Sequence, residues 1–69
     1  MIALTLSDDF VRQATEAGQR LLESGERVVE MKNTPGHFVI RADAKLPEGA
    51  TRIAIIEVAG TPMVIYMQG

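Results

Sequence analysis

The chain has 69 residues, of which 46% are hydrophobic, with no cysteine and a formal net charge of −2. This length predicts a single domain, residues 1–69, near the lower size limit for independent folding. The lack of cysteine excludes disulfides and thiolate metal sites, and it suits the reducing cytoplasm, where we expect the protein. A weakly acidic chain without a basic run is expected to bind nucleic acid or an anionic membrane poorly. No apolar run is long enough to span a membrane.

The first predicted elements are a strand over residues 2–6 and a helix that follows it directly. Ser7 is a typical helix N-cap, because its hydroxyl can accept a hydrogen bond from the first helical turn. Asp8 and Asp9 come next, where the helix dipole favours negative charge. Adjacent carboxylates can also serve as acid–base groups or metal ligands, but their place in a first helical turn favours the capping role.

The predicted helix has one apolar stripe, because apolar residues recur at three- and four-residue spacing between Phe10 and Leu22. Gly25 is placed to end the helix in the left-handed conformation. Gly18 lies on or beside the stripe, where glycine costs about 1 kcal/mol relative to alanine. We therefore expect Gly18 to allow close packing of the helix against a sheet.

Four more strands are predicted after the helix, over residues 27–32, 37–44, 51–59 and 63–68. The fold class is therefore α+β with the order β-α-β-β-β-β, one amphipathic helix packing on a mainly antiparallel sheet. Sequential hairpins would make the last four strands a meander.

Three segments rich in proline and glycine predict the turns between these strands. Pro35 and Gly36 have the order of a type II turn, in which Gly36 supplies the positive φ. The segments 46–49 and 60–62 predict the other two turns.

Residues 53–58 are the most informative segment, because they are apolar on both faces of a strand. Ile53 and Ile55 point to one side, while Ala54, Ile56 and Val58 point to the other. One helix can cover only one face of the sheet, so the other face is predicted to bind a second copy of the chain or another protein. A strongly curled sheet or small barrel, burying both sides itself, is the alternative. The predicted interface consists of Ala54, Ile56, Val58, Met63, Ile65 and Met67; the face with Ile53 and Ile55 remains the other choice.

Few residues of this chain are candidates for catalysis or for cofactor binding. His37 is the only histidine, so a site of several histidines is impossible, and no calcium-loop or phosphate-binding motif occurs. We therefore predict no cofactor, no metal and no enzyme activity. The competing hypothesis is a small oligomeric enzyme whose site is shared between chains. Its candidate residues are His37, Arg41, Arg52, Glu57 and Tyr66.

Two segments resemble bacterial antitoxins. Leu4-Thr5-Leu6-Ser7-Asp8-Asp9-Phe10 resembles the strand-to-helix step of ribbon-helix-helix antitoxins, whose second helix is replaced here by Val28, Val29 and the Pro-Gly turn. The segment from Glu23 to Val29 resembles the helix-to-strand step of prevent-host-death-type antitoxins. These resemblances imply a DNA-associated regulator, for which Arg41, Lys45 and Arg52 would form the basic stripe.

The function that the sequence favours is a small non-catalytic protein-binding or regulatory protein. An inhibitor or adaptor of the kind common among phage and bacterial accessory proteins would fit, by analogy. It would form a homodimer or bind a protein partner through its sheet.

Overall fold

The computed structural model of the chain describes residues 6–69, and it confirms an α+β fold with one helix on a four-stranded antiparallel sheet. The predicted strand over residues 2–6 lies outside the described residues except for Leu6, which is exposed and not part of a strand. No helix in the described part of the chain is long and apolar enough to cross a membrane. The elements in chain order are α1 (Asp8–Ser24), β1 (Val28–Glu30), β2 (His37–Arg41), β3 (Ala50–Val58) and β4 (Thr61–Gln68).

Both ends of α1 are as predicted. The Ser7 side chain accepts a hydrogen bond from the Phe10 backbone N–H at 3.1 Å, and Asp8 and Asp9 occupy the first turn. Gly25 adopts the left-handed conformation with φ 74°, and its N–H donates to the Leu21 carbonyl oxygen. The helix therefore begins and ends where local capping chemistry places its boundaries.

The strand order is β1-β2-β4-β3, so the predicted meander is wrong in one respect. β2 pairs with β4, not with β3, and β3 lies at the edge of the sheet beside β4. The physical reason is burial: four consecutive residues, Met63 to Tyr66, are buried, which requires cover on both faces and a central position. β3 has one largely exposed face, which suits an edge.

The connection between β2 and β3 crosses the face of the sheet that α1 does not cover. β2 ends at Arg41 and not at Ala44, because the chain turns away from the sheet at residues 42–44. Ala44 and Leu46 then pack on Ile40, Val64 and Tyr66. The connection is held at its far end, where the Gln68 side-chain N–H donates to the Glu48 carbonyl oxygen at 3.0 Å.

The sheet thus has two apolar faces of unequal size. On the helix-side face, α1 covers the main core, in which Leu21, Val39 and Ile65 are fully buried. Val39 of β2 belongs to this core and lies under the helix. The opposite face, called here the distal face, carries Phe38, Ile40, Val64 and Tyr66, and the connection 42–49 covers only part of it.

Gly18 lies where α1 comes closest to the sheet, as predicted. A Cβ atom on this residue would be 2.8 Å from both the Met63 Sδ and the Val58 Cγ2 atoms. Any larger side chain would therefore force the two neighbouring side chains or the helix itself to shift.

One of the predicted turns is confirmed, and another differs in detail. The His37 N–H donates to the Thr34 carbonyl oxygen and Gly36 has φ 81°, which confirms the Pro35-Gly36 turn. The β3–β4 hairpin instead turns on Ala59 and Gly60, with φ 50° and 80°, and β4 already begins at Thr61. Two consecutive positive φ values match the twist of a tight hairpin. Pro62 lies on β4 beyond the end of β2, and a proline is tolerated at such a position.

Candidate interaction surface

The residues predicted to form an interface do not share an exposed surface. Val58, Met63 and Ile65 are at most 2% exposed and belong to the core under α1. Ala54 and Ile56 are partly buried against that core, and only Met67 is exposed, over 39% of its surface. The helix stripe therefore covers the face chosen from the sequence, and the exposed apolar residues of β3 are those of the other side, Ile53 and Ile55.

β3 contains a bulge that changes which residues share a face. Arg52 lies opposite Tyr66 and Ala54 lies opposite Ile65, so Ile53 is an extra residue without a partner on β4. Residues directly opposite each other on antiparallel strands lie on the same face. Because Tyr66 is on the distal face, the bulge places Arg52 there as well; strict alternation would have placed it on the helix side.

Three residues of β3 therefore follow one another along the distal face: Arg52, Ile55 and Glu57, called here the β3 strip. They lie opposite Tyr66, Val64 and Pro62, which are spaced two residues apart on β4. Two strand residues span about 7 Å. Arg52 and Glu57 are thus equally far from Ile55, one on each side of it.

The β3 strip is the part of the distal face that the connection 42–49 leaves uncovered. Ile55 is 59% exposed, although Val64 opposite it is only 4% exposed. Beyond the strip is the outer edge of β3, which has no neighbouring strand within residues 6–69. This edge is nine residues long and has the exposed Ile55 near its middle, and edges of this kind are where strand addition occurs in other proteins.

A groove of about 440 Å³ lies on the other side of the connection 42–49. Burial raises the pKa of the Tyr66 phenol at its floor. Phe38 stacks on the same ring, with centroids 5.4 Å apart. The chain offers only a weak signal for this groove, the two apolar residues Ala44 and Leu46 in a polar segment. The groove is lined by Arg27, Val28, Ile40, Lys45, Leu46, Pro47, Glu48 and Tyr66.

The residues of the shared-site enzyme hypothesis lie on different faces. His37 is on the helix side, where its ring packs edge-to-face on Phe10 at 5.9 Å and its Nδ1–H donates to the Pro35 carbonyl oxygen at 3.2 Å. Arg41 pairs with Met63 and so is also on the helix side. The remaining three, Arg52, Glu57 and Tyr66, are on the distal face.

The other groups singled out from the sequence are equally dispersed. The basic residues Arg41 and Arg52 point to opposite faces, and Lys45 lies in the connection at the groove. The Asp9 carboxylate accepts from the side chains of Arg12 and Gln13, so it is engaged within the helix. Among residues 6–69, no three acidic or histidine side chains come together in a way that could hold a metal ion.

Comparison with known proteins adds no assignment, since no family model, no curated protein and no solved structure matches this chain.

Proposed function

We propose that this chain is a small non-catalytic protein-binding domain, of regulatory or adaptor type, that self-associates through its sheet. The observation that carries the proposal is the outer edge of β3. Among residues 6–69 this edge lacks a neighbouring strand, and it carries Ile55 with 59% of its surface exposed.

The size of the chain supports self-association. A domain this small buries a modest fraction of its surface, and association is a common way to add buried apolar area. Further apolar surface near the same edge is only partly covered: Ile53 is 37% exposed, and Ala54 and Ile56 lie at the margin of the core. A protein partner on β3 would cover all of these together.

Composition supports the compartment in this proposal, and the positions of the basic residues support the partner class. A cysteine-free chain suits a reducing cytoplasm. The basic residues Arg41 and Arg52 are on opposite faces, which favours a protein partner over nucleic acid.

The proposal is tested by light scattering on the purified chain and on two variants. Ile55→Asp places a charge on the β3 strip, and Met67→Asp places one on a largely exposed apolar residue of the helix-side face. We expect wild type and Met67→Asp to have the mass of more than one 7.5-kDa chain, and Ile55→Asp to be a folded monomer by circular dichroism. A wild-type monomer at high micromolar concentration, or an Ile55→Asp variant of unchanged mass, would contradict self-association through β3.

A further inference from the structure

We infer that the occupant of the β3 edge is a second copy of this chain, paired antiparallel with β3 about a two-fold axis at Ile55. The inference rests on the proposed function and adds the register of the pairing and the residues that select it. It comes from three observations taken together: the bulge, the charges on the β3 strip, and the outer edge of β3, which no other strand of residues 6–69 occupies.

Charge complementarity identifies the second copy as the partner. The β3 strip is positive at Arg52, apolar at Ile55 and negative at Glu57, with equal spacing on the two sides of Ile55. A two-fold rotation through Ile55 reverses the strand and therefore places Arg52 beside Glu57 of the other copy, twice. A strand with charges in this order is complementary to itself when antiparallel and repels itself when parallel.

The bulge makes this register consistent on both faces. With Ile55 opposite its own copy, Ala54 lies opposite Ile56 of the other chain, and both residues are on the helix-side face. The next pair is Arg52 opposite Glu57, and both residues are on the distal face because Ile53 is the extra residue. Without the bulge, Arg52 would point to the opposite face from Glu57, and the pair could not form.

The result is a continuous eight-stranded sheet with the two β3 strands at its centre. The pairing gives partners to the main-chain groups on the outer edge of β3. It also covers the apolar side chains on both faces of that strand, Ile55 on one and Ala54 and Ile56 on the other. The apolar character of β3 on both faces is then explained by its central place in the dimer.

The test uses charge reversal in the full chain. Arg52→Glu gives two acidic ends and Glu57→Arg gives two basic ends, so each variant should dimerise roughly tenfold more weakly than wild type. An equimolar mixture of the two should recover the dimer as a mixed pair, since every contact is again between opposite charges. The matched controls are Arg41→Glu and Glu23→Arg, which change the net charge equally at exposed residues away from β3.

The outcomes separate this inference from the proposed function. Weaker dimers for each single variant, recovery in the mixture and unchanged controls would support the antiparallel register. If Ile55→Asp abolishes association while the Arg52→Glu and Glu57→Arg variants dimerise like wild type, self-association through β3 stands and the register is wrong. A mixture that fails to form mixed pairs, although each variant alone is weakened, would also overturn the register.

Discussion

Replacing Gly18 by alanine tests the packing of α1 on the sheet, because two known effects oppose each other there. In an exposed helix the substitution stabilises by about 1 kcal/mol. Here the new methyl group would be 2.8 Å from the Val58 Cγ2 and Met63 Sδ atoms. Met63 has a flexible thioether, but Val58 is β-branched, 2% exposed and held in β3, so it cannot move away easily.

Overpacking of a core by one methyl group costs about 1–3 kcal/mol. Subtracting the gain in helix propensity leaves a net destabilisation of up to about 2 kcal/mol for Gly18→Ala. For a domain of this size, each kcal/mol corresponds to roughly 4–8 °C in Tm. Urea unfolding followed by circular dichroism, at one protein concentration for all variants, measures the difference.

The control for propensity is the neighbouring exposed residue, at which Gln19→Gly and Gln19→Ala should differ by about 1 kcal/mol in favour of alanine. The control for contact is Gly18→Ala combined with Val58→Ala, which removes the Cγ2 atom. In that background Gly18→Ala should be neutral or stabilising. A Gly18→Ala variant that is about 1 kcal/mol more stable than wild type would show that the helix does not pack this closely.

Three further predictions follow from local geometry. Ser7→Ala should lower the free energy of unfolding by about 1 kcal/mol in urea titrations, since the Phe10 N–H loses its acceptor; an unchanged midpoint would contradict the cap. Ala59→Asn should raise stability by a few tenths of a kcal/mol or more, because asparagine adopts φ 50° more easily, and Ala59→Val should lower it, both measured by thermal unfolding. Burial raises the pKa of Tyr66 above 10.0. The contribution of the neutral Tyr66 to folding stability is therefore complete below pH 10, and it is lost as the pH rises through the folded-state pKa. Tyr66 is the only tyrosine, so the ultraviolet absorbance of tyrosinate reports it directly, and a folded-state midpoint at or below 10.0 would refute its burial.

The features that sequence reasoning placed correctly depend on local chemistry. Ser7 and Gly25 bound the helix because capping involves only neighbouring backbone groups. The Pro35-Gly36 turn follows from the φ values those two residues prefer. Gly18 is recognisable as a packing contact because glycine destabilises the interior of a helix, and close approach of another element explains its presence there.

The strand order could not be predicted because two segments have the same apolar pattern. Residues 53–58 and 63–66 are both apolar on both faces, and sequential pairing favours the wrong one, because a meander places the strand 51–59 inside the sheet and the strand 63–68 at its edge. The structure places Met63–Tyr66 at the centre and leaves Ile55 exposed at the edge.

The place of Arg52 on the candidate surface could not be predicted, for a related reason. The bulge at Ile53 reverses the alternation for Arg52, and no residue near it is a glycine or proline that would have marked the change. With strict alternation, Arg52 and Glu57 are assigned to opposite faces, so their symmetry about Ile55 is not visible in the sequence.

The most direct measurement of the β3–β3 pairing is an isotope-filtered NOE spectrum of a mixture of labelled and unlabelled chains. Opposite residues of antiparallel strands have Cβ atoms about 5 Å apart. Intermolecular NOEs are therefore predicted between the two Ile55 side chains, and between the Ala54 and Ile56 methyl groups of different chains. Intermolecular NOEs confined to other elements, or none at concentrations that saturate association, would contradict the pairing.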